Sequence, residues 1–130
     1  QVAGTSGPGN TGTQIRNNHI YDIDQNADIQ LDSATWQRGT NEIVEGNNLG
    51  TVNYVTTSCV PTPYPRAITL SGINLSVRNN TAVQPFFVYP GSGSVTGNRA
   101  PQPQMSGASC STYAFSGNVW SANPYGTSCP

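Results

Sequence analysis

The chain has 130 residues, with five basic and six acidic side chains, no lysine and a formal net charge of −1. This length suits one domain, and the lack of a basic face excludes nucleic acid or anionic lipid as a partner. No apolar run is long enough to insert into a membrane. Glycine, asparagine, threonine and serine together supply 55 residues, which favours turns and β-strands over helices.

The first 13 residues differ from the rest of the chain. Residues 3–13 hold four glycines and a proline and show no apolar alternation, so we expect a flexible lead-in over residues 1–13. Residues 14–130 are predicted to form a single β domain with a C-terminal closing segment. The chain begins with glutamine, which suits a mature exported chain or a fragment of a longer one.

Five short segments alternate between apolar and other residues. They are DIQLD (28–32), TNEIV (40–44), RAITL (66–70), INLSV (73–77) and FFVYP (86–90). Alternation of this kind predicts strands with one inward apolar face, for example Ile68 with Leu70. Proline clusters at 59–66 and 100–104 are predicted to be connecting loops.

A short motif occurs five times: an apolar residue, any residue, Gly or Asn, then Asn, any residue and an apolar residue. The fourth position of the motif is always asparagine. These asparagines are Asn18, Asn47, Asn80, Asn98 and Asn118, and successive ones are 29, 33, 18 and 20 residues apart. Gly and Asn adopt the left-handed conformation at low cost, which predicts a sharp turn before each of them. A solenoid places equivalent turns one above another and puts surplus residues into loops. We therefore expect these asparagines to stack and to hydrogen-bond amide to amide.

The repeated order of a strand, an Asn turn and a second strand resembles the coils of the right-handed parallel β-helix proteins of the pectate-lyase type. The coils of that family commonly carry an asparagine ladder at a tight turn. The resemblance covers about residues 13–120. It implies an all-β fold, a right-handed parallel β-helix of about five short coils. The alternative is an antiparallel β-sandwich whose hairpins use Gly-Asn turns.

The three cysteines, Cys59, Cys110 and Cys129, lack the paired spacing of a zinc site. A disulfide between Cys110 and Cys129 would close the C-terminal segment and contribute about 3 kcal/mol in the chain-entropy model. We predict this bond, because the low charge and the Ser/Thr/Asn-rich composition favour an extracellular or cell-surface location. The alternative is that the cysteines are unpaired small apolar residues.

Four of the six acidic residues lie in the segment YDIDQNADIQLD, residues 21–32. Asp22, Asp24, Asn26 and Asp28 place oxygen side chains at alternate positions, as in the first half of a calcium loop. Ala27 stands where an EF-hand requires glycine, so the segment is not an EF-hand. We expect no cofactor, with Ca²⁺ bound by these four residues as the alternative.

Candidate catalytic residues are few. The β-helix lyases use calcium ligands with a basic residue, and β-helix glycosidases use close carboxylate pairs. The candidates here are Asp28 and Asp32 on one coil and Arg66 on the next, and the alternative is that these charges keep a strand face soluble. His19, the only histidine, has no nucleophile motif beside it and is predicted to be a surface residue.

Trp36 and Tyr64 lie in the longer loops and are candidates for sugar contact. We expect a non-enzymatic extracellular structural or adhesive module that either self-associates end to end into fibres or binds glycans. The alternative function is a fragment of a polysaccharide lyase or glycoside hydrolase with a β-helix fold.

Overall fold

A computed structural model of the chain describes residues 2–4, 11–21, 27–33, 39–50, 66–105 and 113–122, with the backbone alone at 2–4, 27–33 and 105. The strands in these ranges are β1 (Val2–Gly4), β2 (Gln14–Arg16), β3 (His19–Ile20), β4 (Ala27–Ser33), β5 (Ile43–Glu45), β6 (Asn48–Leu49), β7 (Arg66–Leu70), β8 (Leu75–Arg78), β9 (Thr81–Ala82), β10 (Phe86–Val88), β11 (Gly93–Thr96), β12 (Arg99–Pro101), β13 (Gln104–Met105), β14 (Tyr113–Ser116) and β15 (Val119–Ser121). The described ranges contain no helix, and so none that could cross a membrane.

The strands form three sheets of five. The first sheet has the order β1-β4-β7-β10-β13, the second β2-β5-β8-β11-β14 and the third β3-β6-β9-β12-β15. Each sheet takes every third strand, and we call a consecutive set of three strands, one from each sheet, a rung. Rung 1 is therefore β1 to β3, and rung 5 is β13 to β15.

Every strand pairing among the described residues is parallel. The antiparallel β-sandwich considered as an alternative is therefore wrong. The physical reason is visible at the first motif turn, where β2 and β3 join different sheets instead of pairing as a hairpin. Parallel sheets in this arrangement are compatible with the β-helix that the resemblance implies.

Apolar side chains at equivalent strand positions stack from rung to rung. The second sheet aligns Ile15, Val44, Val77, Val95 and Phe115, and the third sheet contributes Ile20, Leu49, Ala82, Ala100 and Trp120 to the same core. Ile68 and Leu70, the predicted inward pair of β7, are fully buried. Burial of each large aliphatic side chain stabilises the fold by about 1.5–3 kcal/mol, so the stacked columns hold the rungs together.

The residue before each motif asparagine has a positive φ. The angles are 55° at Asn17, 66° at Gly46, 55° at Asn79, 63° at Gly97 and 62° at Gly117. This is the left-handed region, which glycine adopts freely and asparagine tolerates better than other residues. The predicted sharp turn is thus present at all five copies of the motif.

The structure describes two parts of the predicted lead-in, residues 2–4 and 11–13. Val2–Gly4 form β1, which pairs with β4 so that Val2 lies opposite Leu31. Thr11 forms a parallel bridge to Thr40. β1 has only three residues, which is too short to show apolar alternation. It forms by pairing with the edge of β4, and the sequence around residues 2–4 does not reveal that pairing.

Candidate functional site

The five motif asparagines form a continuous ladder, as the repeated motif predicts. At each of four steps the backbone N–H and the side-chain Nδ2 of one asparagine both donate to the Oδ1 of the asparagine in the next rung, at 2.9–3.0 Å. The order is Asn18, Asn47, Asn80, Asn98 and Asn118. Each step therefore joins two rungs by a pair of hydrogen bonds that converge on one oxygen.

The remaining Nδ2 proton points back toward the preceding rung. Asn47, Asn80, Asn98 and Asn118 donate it to the backbone carbonyls of Ile15, Val44, Val77 and Val95, at 2.7–3.0 Å. Asn47, Asn80 and Asn98 are 0–1% exposed. Burial of an amide is costly unless its donors and acceptors are paired. The ladder supplies those partners for the three central side chains.

The ladder has a direction, because the paired donors point toward rung 5 at every step. Asn118 accepts from Asn98 and donates one Nδ2 proton to Val95. Within the described ranges, its backbone N–H and second Nδ2 proton have no partner. At the other end Asn18 is exposed. Its Nδ2 donates to the Arg16 carbonyl of its own rung at 3.0 Å, and its Oδ1 accepts from no described residue.

A cavity of about 180 Å³ lies at the donor end, lined by Phe115, Ser116, Gly117, Asn118 and Trp120. All of these residues belong to rung 5, so the cavity faces the end of the stack. Phe115 and Trp120 meet edge to face, with ring centroids 6.4 Å apart. Both are only partly buried, whereas Val44, Val77 and Val95, which share the column of Phe115, are fully buried. The apolar interior is thus partly open at this end.

A second turn, between the first and second sheets, was not predicted. Asn41 and Asn74 both have a φ of 55°, and the Asn74 Nδ2 donates to the Asn41 Oδ1 at 2.7 Å. The Asn74 backbone N–H donates to the Ser92 hydroxyl at 3.0 Å. The signal was available in the sequence, since Asn41 and Asn74 are 33 residues apart, the same separation as Asn47 and Asn80.

Glu42 follows this second turn and points into the interior. Its side chain is 2% exposed, and its Oε2 has no hydrogen-bond partner. Burial raises the pKa of Glu42 above its ordinary value, while a hydrogen bond from the Thr13 side chain acts in the opposite direction. Gly39 lies against the carboxyl group, and a β-carbon at that position would overlap it. The buried Glu42 carboxyl group therefore lowers the stability of the fold when it ionises, and it is not accessible as a catalytic base.

Arg66 packs against aromatic side chains. Its guanidinium carbon is 4.0 Å from the centroid of the Phe87 ring, and its terminal nitrogen makes a long hydrogen bond of 3.5 Å to the Tyr89 hydroxyl. A cation over an aromatic face contributes about 0.5–2 kcal/mol. Arg66 lies opposite Ala27 in the neighbouring strand. Its predicted partners, Asp28 and Asp32, lie in β4, where only the backbone is described.

Other charged groups line the outer face of the second sheet. Glu45 lies between Arg16, at 3.4 Å, and Arg78, at 2.8 Å. All three occupy the same strand position in successive rungs. On the third sheet His19 is exposed, as predicted, and its ring centroid is 5.0 Å from that of Tyr21. These groups are engaged with their neighbours in the stack.

Several predicted site residues lie outside the described residues and stay predictions. They are the calcium candidates Asp22, Asp24 and Asn26, the disulfide candidates Cys110 and Cys129 with Cys59, and the sugar-contact candidates Trp36 and Tyr64. In the part of the chain that is described, no three His, Cys, Asp or Glu side chains come together as metal ligands.

No protein-family model matches the chain, and no curated protein or solved structure matches it.

Proposed function

We propose that the three sheets are the faces of a right-handed parallel β-helix that serves as a non-enzymatic structural or adhesive module outside the cell. The ladder is the observation that carries this proposal. It runs without interruption through five rungs and, among the described residues, leaves unpaired donors at one end and an unpaired acceptor at the other. A stack with these ends is suited to bind further copies of itself or an extracellular glycan.

The packing of the charged groups supports a structural role. Arg66 is held by Phe87 and Tyr89, and Glu45 is shared between two arginines. A lyase would need a base with a pKa matched to proton abstraction and a charge to stabilise the enolate-like intermediate. A guanidinium packed on an aromatic ring and a carboxylate paired with two cations are poorly placed for these tasks.

A cleavage assay separates the structural function from the lyase or hydrolase alternative. The purified chain is incubated with pectin-like and other acidic polysaccharides, with and without Ca²⁺. We expect neither unsaturated sugar nor new reducing ends. Release of unsaturated sugar that needs Ca²⁺ and is lost in Arg66→Ala or Asp28→Asn would establish the alternative. Arg99→Ala is the control, because Arg99 is an exposed arginine on a different sheet.

A further inference from the structure

We propose that a second copy of the chain docks head to tail on this one, so that its rung 1 covers rung 5 and its Asn18 continues the ladder beyond Asn118. The inference rests on the proposed structural function and names the partner and the contact surfaces. It follows from the complementary ends of the ladder, where Asn118 has donors and Asn18 an acceptor that no residue of the described ranges pairs.

The hydrogen bonds of the joint follow from repeating the ladder by one step. The backbone N–H and the second Nδ2 proton of Asn118 would both donate to the Oδ1 of Asn18 of the second copy. The Nδ2 of that Asn18 now donates to the Arg16 carbonyl of its own rung. In the joint it would donate to the Phe115 carbonyl, the equivalent of the Val95 carbonyl that receives Asn118. The joint thus pairs groups that are unpaired at both ends.

The apolar columns match in the same register. Ile15 and Ile20 at the rung 1 end are only partly buried, as are Phe115 and Trp120 at the rung 5 end. With Asn18 over Asn118, Ile15 of the second copy would lie on Phe115, and its Ile20 would lie on Trp120. The cavity at rung 5 would be covered, and apolar surface would leave water at both ends.

The charges are also compatible. In this register Arg16 of the second copy would lie opposite Ser116, and its His19 would lie opposite Val119. The existing pair of Arg16 and Glu45, at 3.4 Å, shows that side chains at this strand position reach each other between adjacent rungs. No like charges oppose each other at these positions. Because the two surfaces differ, each added copy leaves a new free end, and the assembly is open.

A charge introduced at position 116 by substitution tests the joint without altering the ladder, since Ser116 is exposed on the outer face. Ser116→Glu would face Arg16 of the next copy and should tighten association roughly 1.5- to 5-fold, whereas Ser116→Arg should weaken it by a similar factor. The difference should shrink at high salt. Sedimentation velocity over a concentration series measures both, and thermal unfolding checks that the variants fold alike.

A mixing experiment tests the polarity of the joint. Asn18→Ala keeps the donor end and Asn118→Ala keeps the acceptor end, so each variant alone should associate roughly two- to tenfold more weakly than the unaltered chain. An equimolar mixture should form dimers about as readily as the unaltered chain, and these dimers should add further copies roughly two- to tenfold more weakly, because each dimer has two altered outer ends. Single variants that each assemble as well as the mixture would overturn the head-to-tail arrangement.

The joint is also overturned if the unaltered chain stays monomeric up to roughly millimolar concentration, or if Ser116→Glu and Ser116→Arg associate equally. These results are distinct from failure of the proposed function. A chain that associates as described but also cleaves polysaccharide would contradict the function and leave the joint intact. A chain that neither cleaves nor associates would contradict the joint alone.

Discussion

The side chain of Asn80 takes part in four hydrogen bonds at the centre of the ladder. Its Oδ1 accepts two hydrogen bonds from Asn47, and its Nδ2 donates to both Val44 and Asn98. It is 1% exposed. Because every one of these groups is removed from water, the loss of the carboxamide leaves several partners unsatisfied at once.

We predict that Asn80→Ala lowers the free energy of unfolding by about 1–3 kcal/mol. Asn80→Asp keeps the shape of the side chain but replaces both Nδ2 donors by an oxygen that faces the acceptors of Val44 and Asn98. It should therefore cost at least as much at neutral pH. Urea unfolding measures both changes. The control is Asn48→Ala, at an exposed position of the adjacent rung 2.

The position in the ladder should also matter. Asn118 lacks a following rung among the described residues, so Asn118→Ala removes fewer bonds than Asn80→Ala and should be less destabilising. Equal losses at the two positions would show that the central asparagines do not depend on their neighbours in the stack.

Alanine substitutions at Gly97 and Gly117 distinguish the cost of backbone strain from the cost of steric crowding. Gly97 and Gly117 have φ angles of 63° and 62°, so alanine should suffer a similar left-handed penalty of about 1 kcal/mol at each. A β-carbon at Gly97 would lie 2.5 Å from the Asn79 Oδ1, whereas at Gly117 nothing lies nearer than 3.9 Å. Because Asn79 is exposed and its side chain can rotate away, we predict that Gly97→Ala is only slightly the more destabilising substitution. Thermal unfolding of the two variants decides it, and identical melting temperatures would contradict the crowding argument.

At the scale of elements, the turn before β5 places a carboxylic acid in the interior. The raised pKa of Glu42 means that the folded chain holds this proton more tightly than the unfolded chain. Stability from the neutral acid is therefore fully present below the ordinary pKa of glutamate. It is lost as the pH rises from there through the raised value, when the buried group ionises.

We predict that Glu42→Gln, which cannot ionise, becomes stabilising relative to the unaltered chain as the pH rises through this window. The unfolding free energies of both chains are measured by urea titration between acidic and neutral pH. Other ionisable groups cancel in the difference between the two chains. A difference that is independent of pH would show that Glu42 does not titrate differently in the folded and unfolded states.

The ladder and parts of five strands could be predicted, because they depend on local signals along the chain. The predicted strands 40–44 and 73–77 were too long at their start, where Asn41 and Asn74 have a positive φ and lie in turns. RAITL coincides with β7, and Gly46 and Asn79 mark turns by the conformation that they tolerate. The environment of Arg66 could not be predicted, because the register that brings Phe87 beside it depends on how β7 and β10 align across the intervening loop. The interior position of Glu42 was missed, since an acidic residue in an alternating run is ordinarily expected at the surface.

At the scale of the whole molecule, stability depends on contacts between adjacent rungs. The asparagine ladder and the apolar columns of the described residues join neighbouring rungs, and the Tyr113 hydroxyl of rung 5 also reaches the Gly72 carbonyl of rung 3 at 3.4 Å. The terminal rungs have one such neighbour. The pairing that makes Asn80 costly to replace is therefore incomplete at Asn18 and Asn118 within the described ranges, which is the basis of the proposed joint.

The most direct test of the central claim, a continuous and buried asparagine ladder, is hydrogen exchange of side-chain amide protons measured by NMR. We predict that the Nδ2 protons of Asn47, Asn80 and Asn98 exchange orders of magnitude more slowly than those of exposed Asn48, because their release requires local opening of the stack. If the Asn80 protons exchange as fast as those of Asn48 in the folded chain, the ladder does not exist, and the structural function proposed from it is wrong.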